Sequence, residues 1–201
     1  MNRYFSFLLG VALVIVGISQ PCHAGRSSFQ DNFNNNGWTY ASLDGRQQNP
    51  VSSWGIVDGK FVEDSGWDAQ FALVENISFS SQTLQAEVEP HPWAGIVLWF
   101  KDINNFVIIV SGYGPAVDII ERVNGVGDRI IYSYSGSKVG VYRADANSST
   151  GEIDFYVDDV YVFTHIVQTN IRTGLSGLIG GNGGGTFDDF SVTSLGGGRK
   201  K

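Results

Sequence analysis

Hydrophobic residues in this chain recur at alternate positions in short runs, and almost nowhere at the three-to-four spacing of a helix. The clearest case is 82–88, where Leu84, Ala86 and Val88 fall on one face and Gln85 and Glu87 on the other. Alternation of that kind marks a strand with one buried side. Further runs rich in Val, Ile, Phe, Tyr and Trp lie at 29–33, 54–57, 60–62, 71–74, 94–100, 106–110, 117–123, 129–134, 139–144, 153–157, 161–165, 174–180 and 187–192. Between them stand turn formers: Asp58-Gly59, Asn124-Gly125, Asp158-Asp159 and the stretch 101–105. Two-residue pairs such as Asp-Gly and Asn-Gly favour tight hairpins because both residues tolerate a left-handed backbone.

About a dozen short antiparallel strands at even spacing predict an all-β domain of two packed sheets, a jelly-roll sandwich. The 26 glycines against five prolines suit sheets joined by tight turns. No linker or internal repeat interrupts the pattern, so one domain is expected over 25–195, with 196–201 as a disordered tail. The run 94–100 is nearly all apolar and reads as a central strand buried on both faces. Strict alternation there puts Ile96, Leu98 and Phe100 in the core and Trp99 on the opposite face with Gly95 and Val97.

The first 24 residues read differently. Arg3 precedes an apolar run from Phe5 to Ile18, followed by polar, helix-breaking residues up to a small Ala24. That is the three-part form of a secretory signal peptide, and the run is short of the ~20 residues that span a bilayer comfortably. Export to the periplasm or medium is expected. Removal of residues 1–24 takes with it Cys22, the single cysteine, so thiol chemistry and disulfides are excluded from the mature chain. No later segment is apolar and long enough to span a membrane. The formal net charge of −7 argues against nucleic acid as a partner. It is compatible with sugars and with cations.

Several motifs resemble one superfamily. Ala94-Gly-Ile-Val-Leu-Trp-Phe-Lys-Asp102 with Asn104-Asn105-Phe106 resembles the central hairpin of concanavalin A-like lectin/glucanase (laminin-G-like) domains of the secreted bacterial type. The segment 153–159 resembles their strand and turn ending in Asp-Gly, here Asp158-Asp159, so a different turn type is expected. The segments 174–178 and 187–192, and Asp31-Asn32-Phe33 with Trp54 and Asp58-Gly59, resemble their closing and opening strands. The resemblance covers nearly the whole chain after residue 24. It implies a two-sheet jelly roll with a concave sheet as binding face. A basic residue usual on the central strand is replaced here by Trp99. The superfamily holds lectins, carbohydrate-binding modules, hydrolases and adhesion domains, so fold alone does not assign an activity.

The polar and aromatic residues suggest three chemistries. Glu152-Ile153-Asp154 resembles the start of a glucanase catalytic strand, but the second Glu of that motif is replaced by Tyr156. A retaining hydrolase needs two carboxyl groups ~5 Å apart, so catalytic residues are not assigned. Sugar binding needs aromatic faces for C–H stacking beside polar hydrogen-bonding groups. Trp67, Asp68, His91, Trp93, Trp99, Tyr113 and Arg122 are the candidates, with Trp38 and Trp54 assigned to the core. Structural calcium is the third: Asp31 on the first strand and Asp188 and Asp189 on the last would bring three carboxylates together if those strands pair. The expected function is a non-catalytic, lectin-like module for a glycan or polysaccharide. The alternatives are a glycosidase-like or 3-keto-disaccharide hydrolase-like enzyme, drawing on Asp68, Glu87, Glu121, Arg122 and His91, or an adhesion domain.

Overall fold

The computed structural model describes residues 28–33, 37–43, 53–64, 69–89, 91–181 and 183–195. The expected signal peptide, the tail, Trp67 and Asp68 lie outside the described residues. Fifteen strands are described. They are β1 (Ser28–Asp31), β2 (Trp38–Ser42), β3 (Trp54–Val57), β4 (Lys60–Glu63), β5 (Gln70–Val74), β6 (Gln82–Glu89), β7 (Gly95–Asp102) and β8 (Asn105–Ser111). Then follow β9 (Ala116–Val123), β10 (Val126–Ser133), β11 (Gly140–Asn147), β12 (Glu152–Val157), β13 (Val160–Ile166), β14 (Leu175–Gly180) and β15 (Gly185–Ser194).

The strands form two antiparallel sheets. One has the order β13-β12-β11-β6-β15-β4-β3, with β1 also on β15; the other has β10-β9-β8-β7-β14-β5-β2. The expected all-β, two-sheet sandwich is the observed architecture. Strand β2 has no counterpart among the expected strands; Trp38-Thr-Tyr-Ala-Ser is a short edge strand on β5. Three hairpins turn where the sequence places them. Asp58-Gly59, Asn124-Gly125 and Asp158-Asp159 all have positive φ at both central residues, the geometry of a type I′ turn. The last turn therefore keeps that left-handed geometry despite lacking its glycine. Asp158 accepts the Val141 amide at 2.8 Å and Asp159 pairs with Arg143 at 2.5 Å, contacts that offset the cost of two non-glycine left-handed residues.

A large apolar cluster fills the space between the sheets, from Leu84, Ala86 and Val88 on β6 to Ile96 and Leu98 on β7 and Phe155 on β12. At one end aromatic rings close the sandwich: Phe33 stacks on Phe61 at 4.7 Å, and Trp38 meets Phe190 at 5.0 Å. Trp54 packs on Phe61 at 4.8 Å. Trp38 and Trp54 thus belong to this packing, as their sequence context suggests.

Strand β7 carries a bulge that the alternation does not announce. Val97 pairs with Gly177 and Phe100 with Leu175, so three steps on β7 match two on β14. Trp99 takes up the extra residue with a left-handed backbone, φ 53°. Leu98 and Trp99 consequently both join the inner cluster, while Phe100 turns outward. Trp99 is 0 % exposed and its indole N–H donates to the Ser80 carbonyl at 2.7 Å. Gly174 permits the bulge: a Cβ there would sit 2.4 Å from the Phe100 carbonyl oxygen.

At the opposite end the sheets are tied by a buried polar chain. His165 on β13 bonds Glu121 on β9 through Nε2 at 2.6 Å and Tyr132 on β10 through Nδ1 at 3.0 Å. Glu121 also accepts the amides of Gln168 and Thr169. Burial pushes the Glu121 carboxyl up, but the His165 bond and these amides outweigh it and hold it below the usual carboxylate value. A carboxyl lowered in the folded state stabilises the protein above its unfolded pKa of roughly 4.3, and that contribution is lost as pH falls through the folded value.

Two outcomes follow. Glu121→Gln should lower stability at pH 7 by about 2 kcal/mol and flatten the acid limb below pH ~4.3, read by urea unfolding across pH. Trp99→Ala should cost about 3–5 kcal/mol in the same assay, the range for emptying a core aromatic site; a loss under ~1 kcal/mol would contradict its placement.

Candidate functional site

The seven-stranded sheet buries apolar side chains on its outer face as well as its inner one. A second cluster there joins Phe71 and Leu73 of β5, Val97 and Phe100 of β7, Phe106, Ile108 and Val110 of β8, Ile120 of β9 and Ile179 of β14. Phe71, Phe100 and Phe106 form a three-ring contact, with centroids 5.1, 5.3 and 6.1 Å apart. Side chains at alternate positions of β8 feed both faces, which is why Phe106 to Val110 reads as an unbroken apolar run.

A cavity of about 220 Å³ opens beside this cluster. Trp93, Phe106, Ile108 and Ile120 form its apolar walls, and Arg122 and Arg129 supply its polar groups. The register sets Arg122 opposite Phe106 on one side and Gly127 on the other. Gly127 has no positive φ, and a Cβ there would meet nothing nearer than 3.9 Å. Its missing side chain therefore leaves the cavity open without any demand from packing.

The two arginines differ in their surroundings. Arg129 donates to Asp118 Oδ2 from Nε at 2.8 Å and from Nη2 at 2.5 Å, and its guanidinium lies 5.8 Å from the Trp93 ring centroid. Asp118 is 1 % exposed, so removing Arg129 would leave a buried carboxylate without its ion-pair partner. Arg122 lies 6.0 Å over Phe106 and forms no ion pair with any described carboxylate; its Nε has no hydrogen-bond partner. Next to Asp118, Lys138 donates to the Gly112 carbonyl at 2.6 Å. Burial pulls the Lys138 ammonium down, with the Asp118 charge opposing.

Trp93 is held rigidly. It has a left-handed backbone, φ 76°. Its amide donates to the Ser111 carbonyl at 2.9 Å, Ala94 N–H returns to the His91 carbonyl at 2.9 Å, and Ser111 Oγ donates to that same carbonyl at 2.5 Å. Such strain at an aromatic residue beside a cavity is a pointer to function.

Of the residues singled out from sequence, the structure brings Trp93 and Arg122 together in this cavity. His91 is exposed in the turn just before Trp93, without a place in the cavity wall. Tyr113 is 54 % exposed at the β8–β9 hairpin and is also outside the wall. The expected orientation of Trp99 needs correction: the bulge turns it into the core, and Phe100 takes the outward place. The three aspartates do not converge. Asp31 points inward and accepts the Trp38 indole N–H at 2.7 Å. A bulge between Asp188 and Ser191 sets Phe187 and Phe190 inward, with Asp188 opposite Glu87 and Asp189 at the bulge itself, φ 46°. Among the described residues no three His, Cys, Asp or Glu side chains form a group able to hold a metal ion.

Two of the acids suggested for hydrolysis, Glu87 and Glu121, also lie away from the cavity. Glu87 lies on β6 of the other sheet, and Glu121 faces inward to His165. Glu152 and Asp154 sit on β12, again in the other sheet, where Asp154 is bonded by Thr164. Along the outer-face positions of β9, Asp118 is the carboxylate present, and Arg129 engages it.

Sequence reasoning missed Phe106, Ile108, Ile120, Gly127, Arg129 and Asp118. The available signal was the alternation Asp118, Ile120, Arg122 beside Phe106, Ile108, Val110, which marks one shared face once β8 and β9 are paired.

No protein-family profile matches the chain, and no curated protein sequence matches it. Solved structures do. Carbohydrate-binding module CBM66 from Bacillus subtilis is 17 % identical, with TM-score 0.55, covering 80 % of this chain and 94 % of that one. The Bacillus licheniformis β-glucanase is 13 % identical, with TM-score 0.58, covering 84 % and 98 %. A prokaryotic β-1,3-1,4-glucanase (lichenase) from a mouse hindgut metagenome is 12 % identical, with TM-score 0.56, covering 84 % and 97 %. The chain thus has the concanavalin A-like jelly-roll fold. At these identities the likeness is one of fold.

Arg129→Ala should destabilise by about 2 kcal/mol by stranding Asp118. The double variant Arg129→Ala/Asp118→Asn should regain part of that loss in chemical unfolding; additive losses would contradict the pairing.

Proposed function

We propose that the protein is an exported, non-catalytic carbohydrate-binding module whose site is the outer-face cavity of the seven-stranded sheet. The observation that carries this reading is the cavity itself: an immobilised Trp93 and a Phe106 ring beside guanidinium groups. Sugars offer C–H faces that pack on aromatic rings and hydroxyls that accept from planar donors. An apolar cavity of ~150 Å³ holds a benzene ring, so about 220 Å³ accommodates one six-membered sugar ring. The fold shared with a carbohydrate-binding module and with glucanases is consistent with a glycan ligand. Binding is favoured over hydrolysis because the described carboxylates Glu87, Glu121, Glu152 and Asp154 lie away from the cavity, and Asp118 is engaged by Arg129. Export rests on the signal-peptide pattern of residues 1–24.

The test is a glycan array followed by calorimetry on residues 25–201, with Trp93→Ala and Gly127→Val as variants. Binding by the native protein should fall at least tenfold in both, while the Gly127→Val melting temperature stays within a few degrees. Glycan binding that survives both changes would place the site elsewhere. Release of reducing sugar from the bound glycan would overturn the non-catalytic reading.

A further inference from the structure

Arg122 is the feature that neutral-sugar binding does not use up. Two guanidinium groups line the cavity, but they are not equivalent. Arg129 is neutralised by the buried Asp118, which is bound at 2.5 and 2.8 Å. Arg122 has no described carboxylate partner, and its Nε is buried without an acceptor. The neighbouring acid in sequence, Glu121, is on the other side of the strand, occupied by His165 and two amides. Among the described residues the cavity therefore holds one guanidinium without a carboxylate partner, on a protein whose formal net charge is −7. Screening limits the reach of the distant acids to a Debye length of roughly 8 Å at physiological salt, so the local charge decides what enters.

A buried donor without an acceptor costs free energy until a ligand satisfies it. A guanidinium presents a planar fork of donors that matches a carboxylate in bidentate fashion. Gly127, directly across the β9–β10 pair from Arg122, leaves the space such a group would occupy. Phe106 lies under the guanidinium and Trp93 across the cavity, so a ring seated there presents an edge to Arg122 and a face to an aromatic ring.

We propose that the ligand is an acidic saccharide, with a uronate residue in the cavity and its carboxylate on Arg122. This rests on the glycan-binding reading above and specifies the sugar class.

The test is calorimetry with tetrasaccharides from polygalacturonate, alginate and hyaluronan, against cellotetraose and laminaritetraose, on the native protein and on Arg122→Gln. At least one uronate tetrasaccharide is expected to bind ten times or more tightly than either neutral one, with affinity falling as salt rises. Arg122→Gln should abolish that preference and leave the melting temperature within a few degrees. Tight neutral binding that needs Trp93 but not Arg122 would overturn the acidic-sugar proposal and leave the glycan-binding reading standing. A uronate preference that persists in Arg122→Gln would also overturn it. Absence of binding to both saccharide classes would sink the two readings together.

Discussion

The bulge at Trp99 is the constraint on which the rest of the seven-stranded sheet depends. A regular strand sends alternate side chains to opposite faces, and β7 breaks that rule once. Leu98 and Trp99 both go inward, where Trp99 fills the space between the sheets and bonds the Ser80 carbonyl. Phe100 is released outward to meet Phe71 and Phe106. Phe106 is in turn the wall on which Arg122 rests. A regular β7 would put the Trp99 indole on the outer face and the smaller Phe100 ring in the core. The inner packing and the outer cavity thus share one backbone irregularity, permitted by the absence of a side chain at Gly174.

Electrostatics sort the same way. Adjacent residues of β9 face opposite environments: Glu121 inward to His165, Arg122 outward to the cavity. The inner carboxylate is satisfied by three donors and helps join the sheets at the end away from the aromatic cluster. Asp118 and Arg129 compensate each other on the outer face. Arg122, on the same face, forms no ion pair with a described carboxylate and lines the cavity.

The fold was legible because alternation and turn residues act locally. Leu84, Ala86 and Val88 on one face of β6 fix its orientation, and Asp58-Gly59 and Asn124-Gly125 fix hairpins. Strand β2 escaped notice because a short edge strand needs only one partner and shows little pattern. The site was half legible. Trp93 stands out as an aromatic residue beside a strand, and Arg122 as a basic residue near the end of one. Trp99 misled because a bulge shifts the phase of every residue after it, and no residue type at 98–99 signals a left-handed backbone. Strands β1 and β15 do pair, and the bulge in β15 sets the places of Asp188 and Asp189 along it. Gly127 and Arg129 became visible only with the β9–β10 register.

The most direct measurement is an amide and indole NMR titration of the folded protein with the saccharide that binds it best. The chain has five tryptophans, so the indole resonances can be assigned by single substitution. The Trp93 indole should shift on titration together with the amides of Phe106, Arg122 and Gly127, while the Trp99 indole, bonded to Ser80 in the core, stays in place. Saturable shifts that leave Trp93 and Arg122 unmoved and map to the eight-stranded sheet would contradict a site in the cavity.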